Sequence, residues 1–261
     1  MNSYSKLFDV EAPVALVTGS SAQRVGRTIA GSLADRGCTL ALHGNTSIEE
    51  GKVYMEELES KGRTVEMFQA NLKDEHSPVQ LVRDVIDAFG RIDIVVNSAA
   101  IWYPTPLDSV SPSDIDHFMR INCTASFMVA KTAGLQMAKQ SKGGVIVNIG
   151  DWATIRPYAD YSAYFLSKGN LETMTRLLAV EMAQLHAGTR VNAVLPGPVM
   201  IPESMDAKLR SEIINATLLK REGSPQNVAD ACRCLIENDF ITGACLPVDG
   251  GRSVYSPYNP V

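Results

Sequence analysis

Short apolar runs alternate with amphipathic helical stretches along nearly the whole chain, and this alternation constrains the fold more than any other feature. PVALVTG (Pro13 to Gly19) is an apolar run that stops at glycine, the pattern of a strand buried on both faces. Gly26 to Arg36 follows, with Ile29 and Leu33 at helical spacing and Gly37 as a stop. CTLALHG (38–44) precedes a charged helix from Ile48 to Lys61, and TVEMFQANL (64–72) precedes a helix from Pro78 to Phe89. IDIVVNSAA (92–100) leads to a long helix that Ser111 and Pro112 open and that runs through Gln140. GGVIVNIG (143–150) leads to a helix from Ala163 to His186. RVNAVLPG (190–197) leads to an irregular or loosely helical stretch at 200–221, a helix from Pro225 to Glu237 behind Ser224, and a last strand, ACLPVDGG (244–251). Strands that alternate with helices pair in parallel, with helices on both faces. The expected fold is therefore α/β, a doubly wound parallel sheet of about seven strands in a single domain at 13–251. A polar lead-in (1–12) precedes it, and a tail (252–261) that lies on a neighbouring subunit or frays follows it.

Composition narrows the function classes. The net charge is −5 with no basic block, which argues against nucleic acid or an anionic membrane as partner. No apolar run reaches the roughly 18 residues of a membrane span. The start lacks the basic-then-apolar pattern of a secretory signal, so the expected location is cytoplasmic. Cys38, Cys123, Cys232, Cys234 and Cys245 are an odd number without framework spacing and read as reduced thiols, with no metal site expected.

One stretch carries chemistry: DWATIRPYADYSAYFLSK, Asp151 to Lys168. Tyr164 and Lys168 are four residues apart, so on a helix they share a face. An ammonium beside a phenol favours phenolate and makes a tuned proton donor or acceptor. Tyr158 and Tyr161 lack a lysine four residues on. Asp151 is open to three readings: a proton donor, a helix cap, or an ion-pair partner of Arg156. Upstream, TGSSAQRVGRTIA joins the first strand to a helix, where backbone N–H groups and the helix dipole suit a pyrophosphate. An NAD site places an acid after the second strand, on the ribose 2′-hydroxyl. Leu42 to Ser47 holds none, and Arg24, His43, Asn45, Thr46 and Ser47 offer charge and donors to a 2′-phosphate. The expected cofactor is NADP(H) rather than NAD(H).

In combination and order, TGSSAQRVG, NSAA, Asn122, the Tyr164–Lys168 pair and PGPV (Pro196 to Val199) resemble the short-chain dehydrogenase/reductase family over about residues 13–250. The resemblance implies a Rossmann-type fold, hydride exchange with a nicotinamide, and a homotetramer. It implies that Thr18, Gly19, Arg24, Val25 and Gly26 form the phosphate turn, and that Asn71 and Leu72 lie near the adenine. Asn97 and Ala99 would flank the nicotinamide side, and Pro196, Gly197 and Val199 would close over its carboxamide. Asn122 would hold a water in the proton relay, Tyr164 would be the acid/base, and Lys168 would bind the ribose.

The turn is one residue longer than usual and lacks its middle glycine, and Asp151 replaces the usual serine thirteen residues before the tyrosine. Arg24-Val25-Gly26, SAAIWYPTPL and Asp151 resemble the pteridine reductase branch. That likeness implies substrate contacts from Arg24, Trp102, Asp151 and Tyr164, with Trp102 stacking on the substrate, and places Ser47 at the 2′-phosphate. The alternative readings are a packed loop aromatic for Trp102 and a solvated helix start for Arg24. Ala100 and Thr46 stand where that branch has a serine and a basic residue. The implied activity is hydride transfer from NADPH to a small carbonyl or C=N compound, a pteridine among them. The alternatives are a general carbonyl reductase and a silent nucleotide-binding regulator. Residues 200–221 would cover the substrate.

Overall fold

The structure, a computed structural model, describes residues 3–255, so the end of the expected tail, 256–261, lies outside the described residues. The seven strands are β1 (Val14–Val17), β2 (Thr39–Gly44), β3 (Val65–Gln69), β4 (Ile94–Asn97), β5 (Gly144–Ile149), β6 (Thr189–Pro196) and β7 (Cys245–Val248). They form one sheet in the order β3-β2-β1-β4-β5-β6-β7, and every pairing is parallel. This is the doubly wound α/β architecture that the alternation predicts.

Alternating side chains along each strand serve two cores. Ala15 and Val17 pack with Ile29 and Leu33 of α2 (Val25–Asp35), Leu58 of α3 (Ile48–Ser60) and Val228 and Ile236 of α9 (Pro225–Glu237). Val14 and Leu16 face the other layer. There they join Val82 and Val85 of α4 (Ser77–Phe89), Val129 of α6 (Ala125–Met137) and Leu171 of α7 (Ser162–Leu185). Consecutive connections from β1 and β4 leave towards opposite faces, so a crevice opens between those strands at their carboxyl ends. Sheets of this kind receive ligands there.

Three segments differ from the sequence expectation. The lead-in is not merely polar: Ser3–Phe8 forms helix α1, with Tyr4 and Phe8 fully buried. Spaced four apart, their rings share one face and meet edge to face at 6.3 Å, a two-residue anchor that average polarity conceals. The long helix through Gln140 is interrupted. α5 (Pro112–Phe118), opened by a reciprocal cap between Ser111 and Asp114, gives way to a π-helical turn at Met119–Thr124, and α6 stops at Met137. The stretch at 200–221 contains a regular helix, α8 (Ala207–Asn215), because the Asp206 carboxylate accepts from the N–H groups of Lys208 and Leu209 at 3.0 Å.

Candidate active site

β5 delivers Asp151 to the carboxyl edge of the sheet, and the start of α7 runs past it. One oxygen of Asp151 caps the short 3₁₀ turn Trp152–Thr154, accepting from Ala153 N–H at 2.8 Å. The other accepts the Tyr164 phenol at 2.6 Å. The cap reading of Asp151 holds, and the same side chain also accepts from Tyr164. Arg156 is not its partner and donates instead to the carbonyls of Arg252 and Tyr255. One turn along, Lys168 is buried and donates to the Ile149 carbonyl at 2.8 Å.

Burial sets the protonation. It drives the Asp151 carboxyl above its usual range, against the Tyr164 and Ala153 hydrogen bonds and the Lys168 charge. Burial, then the Asp151 charge, holds the Tyr164 phenol well above 10.0. Burial also lowers the Lys168 ammonium to about 8. The expectation that Lys168 lowers the tyrosine is therefore corrected: desolvation dominates, and the carboxylate in direct contact stabilises the protonated phenol. Burial thus raises the pKa of both Asp151 and Tyr164, and one hydrogen bond joins the two groups.

Asn122 explains the π-helical turn. Its amide oxygen accepts from Ile101 N–H at 2.8 Å, and its amide nitrogen donates to the Ile101 carbonyl and to Ser167 Oγ, both at 3.0 Å. The extra residue in the turn aims this amide across the core at the loop after β4 and at α7. Such turns gather at functional sites. Asn122 here clamps the loop carrying Trp102 to the helix carrying Tyr164.

The turn after β1 is built for close approach. A side chain on Gly19 (φ +69°) would come within 2.9 Å of the Ala99 backbone, and one on Gly26 within 2.7 Å of the Gly19 carbonyl. Thr18 Oγ1 accepts from the N–H groups of Ser98 and Ala99 at 3.0 Å, tying β1 to the NSAA segment. The N–H groups of Val25 and Gly26, in the first turn of α2, find no acceptor among the described residues. The Asn97 side chain donates to the Ser126 carbonyl and to Asn148 Oδ1, yet its own buried oxygen has no partner. Open donors at a helix start and an orphaned amide oxygen in the crevice fit a dinucleotide.

The predicted contacts of the adenosine end divide. Arg24, Asn45 and Thr46 are exposed and Ser47 half-buried, and the side chains of Arg24, Asn45 and Ser47 make no hydrogen bond among the described residues. His43 is corrected from phosphate donor to brace. It is buried, its Nδ1 accepts from Gly19 N–H at 3.0 Å, and its Nε2 donates to the Ala70 carbonyl at 3.1 Å. Burial drops its pKa to about 4, so it is neutral. Asn71 spends its amide on Lys73 N–H and Asp74, and the Leu72 side chain lies in the core. Sequence reasoning missed Arg27 and Glu50. The Glu50 carboxylate accepts Gln23 N–H at 2.6 Å and pairs with Arg27 at 3.1 Å. An acid thus reaches this end from the first turn of α3, beyond the window in which a ribose acid is sought, and Arg27 balances it.

On the substrate side, Trp102 is half-exposed and immobilised: it stacks on Tyr161 with centroids 5.0 Å apart and donates to the Tyr158 hydroxyl at 3.2 Å. Pro196 ends β6, Gly197 N–H donates to the Val248 carbonyl at 2.9 Å, and Val199 is buried beside Gly223.

Known proteins share this arrangement of elements. A family model described as enoyl-(acyl carrier protein) reductase matches residues 20–253. The chain is 32% identical to a 3-oxoacyl-[acyl-carrier-protein] reductase of Synechocystis sp., over 94% of this chain and 98% of that protein. It is 31% identical to pteridine reductase 1 of Leishmania tarentolae, over 93% and 97%. Among solved structures, a blue fluorescent protein from a metagenomic library in complex with NADPH superposes with a TM-score of 0.84 at 32% identity, covering 92% of this chain and 97% of that one. With its fold, its open α2 start and these full-length relatives, the chain belongs to the short-chain dehydrogenase/reductase family of oxidoreductases.

Proposed function

We propose that the protein is an NADPH-dependent reductase that transfers hydride to a small carbonyl or C=N compound, with a pteridine as the leading candidate. The observation that carries this reading is the 2.6 Å hydrogen bond that the Tyr164 phenol donates to Asp151, two buried groups whose pKa values burial raises. A nicotinamide supplies the hydride, and the residues named above supply binding and the proton. The open N–H groups of Val25 and Gly26 receive the pyrophosphate. Arg24, Asn45 and Ser47 meet the 2′-phosphate, and Lys168 meets the nicotinamide ribose. Tyr164 donates to the reduced substrate atom, and Asp151, hydrogen-bonded behind it, restores the phenol proton. Reducing a ring C=N requires a proton at nitrogen; Tyr164 gives it, and a carboxyl behind the phenol can replace that proton where a serine hydroxyl cannot. General acid catalysis of this kind contributes about 10²–10⁴-fold.

A second reading, a general carbonyl reductase, is favoured by the likeness to a 3-oxoacyl-[acyl-carrier-protein] reductase. NADPH oxidation with dihydrobiopterin and with a panel of ketones separates the two. Turnover of the pterin supports the first, turnover of ketones alone the second, and NADPH binding without any turnover points to a silent regulator. Asp151→Ser should keep ketone reduction and lose pterin reduction; if it keeps both, the carboxyl is not the defining acid. Cofactor choice is tested by dissociation constants, and NADH binding as tightly as NADPH would remove the 2′-phosphate assignment. The same reading includes a homotetramer and a cytoplasmic site of action. No helix among the described residues is long and apolar enough to cross a membrane.

A further inference from the structure

Four aromatic side chains form one wall leading outward from Tyr164. Tyr161 meets Tyr164 edge-on with centroids 6.5 Å apart, and Trp102 stacks on Tyr161 at 5.0 Å and 16°. Tyr158 meets Tyr161 edge-on at 5.1 Å and, on its other side, Phe165 at 4.8 Å. Trp102 and Tyr158 lie far apart in sequence, yet the indole N–H donates to the Tyr158 hydroxyl at 3.2 Å. The backbone beneath them is fixed. Thr105 bridges to Tyr161, its N–H donates to the Asp160 carbonyl at 2.6 Å, and its hydroxyl accepts from Ala163 N–H at 3.1 Å. The wall is therefore held in place while Trp102 and Tyr158 stay 48% and 41% exposed.

The direction of the Trp102–Tyr158 bond matters. The phenol oxygen is the acceptor, so its own O–H is free to donate, and among the described residues no protein atom accepts it. Burial and the Asp151 charge, opposed by the Trp102 bond and Arg252, place this phenol at about 12. It remains a donor at every physiological pH. A tyrosine positioned by a neighbour and left with an unspent donor suits a ligand that presents an acceptor to it.

We propose that Tyr158 is a specificity-determining residue that selects flat, ring-bearing substrates carrying a hydrogen-bond acceptor away from the reacting atom. The proposal rests on the substrate site being the one at Tyr164, as in the preceding reading, but needs no particular reaction there. Trp102 acts as the positioning residue, because its indole N–H fixes the phenol oxygen and so points the remaining donor outward. One face of Trp102 is already covered by Tyr161, so the wall offers the flat ligand its opposite face and the Tyr158 hydroxyl together.

The test uses two unreactive probes of nearly equal shape, quinoline and naphthalene, which differ by one ring nitrogen, the only conventional acceptor in the pair. Their dissociation constants are measured by calorimetry on the intact protein saturated with NADP⁺. Wild type should bind the quinoline roughly 3- to 10-fold more tightly, the range of one net hydrogen bond. Tyr158→Phe, which keeps the ring and its packing, should bring that ratio to about one while leaving the naphthalene and NADP⁺ constants unchanged. Trp102→Phe should lower the ratio as well. Equal binding of the two probes by wild type, or an unchanged ratio in Tyr158→Phe, overturns the proposal. Because binding is read without turnover, failure of the reductase reading shows separately, as absence of NADPH oxidation alongside intact probe discrimination.

Discussion

At the scale of single residues, His43 shows how a motif can be legible and its role hidden. Its position at the carboxyl end of β2 marks it for the cofactor's adenosine end, and nothing in the sequence shows that both ring nitrogens are consumed by Gly19 and Ala70. That pairing needs the fold, because Ala70 follows a different strand. A pH signature follows from it. Burial lowers the His43 pKa from 6.5 to about 4, and the neutral ring is the folded form. A depressed folded pKa contributes stability that is fully present above pH 6.5 and is lost as pH falls towards 4. The loss amounts to about 3 kcal/mol over that window. Urea unfolding at stepped pH should show it, and His43→Gln should flatten the slope between those values. An unchanged slope would mean that the ring is protonated or exposed. Asp151 was legible as a departure from a serine and as a cap, whereas its hydrogen bond to Tyr164 was not, because that contact is set by the path of the chain after β5.

At the scale of elements, nearly every strand and helix was visible because apolar period and glycine stops agree with tertiary structure over most of the chain. The failures have local causes. The π-helical turn at Met119–Thr124 leaves no mark on periodicity, since its cause is the bonding of Asn122 to Ile101 and Ser167. α1 reads as polar from average composition, although Tyr4 and Phe8 are buried and Leu7 packs against the same core. Another tertiary device closes α9. Buried Arg190 donates to the carbonyls of Leu235 and Ile241 at 2.8 Å and of Ile236 at 2.7 Å, filling the acceptors that a helix end leaves open. Arg190→Met should cost roughly 3 kcal/mol, since buried carbonyls lose a charged donor. Chemical denaturation measures it, with the midpoint falling and the slope unchanged. A loss below about 0.5 kcal/mol would show that water replaces the guanidinium without cost.

At the scale of the whole molecule, the sheet places the candidate site residues at one edge. The turn after β1, the NSAA segment after β4, Asp151 after β5 and Pro196 at the end of β6 all gather at the carboxyl ends of parallel strands. The far end is held by buried Asp93, which Arg91 grips at 2.7 and 2.8 Å. Assembly is the next level. Leu166, Leu177 and Val180 of α7 are 52%, 48% and 63% exposed and fall on one stripe of a helix that also carries Tyr164. Burying such a stripe against a second copy is favourable at about 25 cal/mol per Å². On the proposed homotetramer, sedimentation should give a tetramer for the wild type and smaller species for Leu177→Glu. A monomeric wild type, or a variant that sediments unchanged, contradicts that placement.

The central claim is that Tyr164, backed by Asp151, delivers the proton during reduction by NADPH. Its most direct test is steady-state turnover of Tyr164→Phe beside wild type on the best substrate of the panel, with NADPH affinity measured in parallel. Removal of the phenol should lower kcat by about 10²–10⁴-fold, while the NADPH dissociation constant stays within about twofold of wild type. A variant that turns over as fast as wild type would contradict the account.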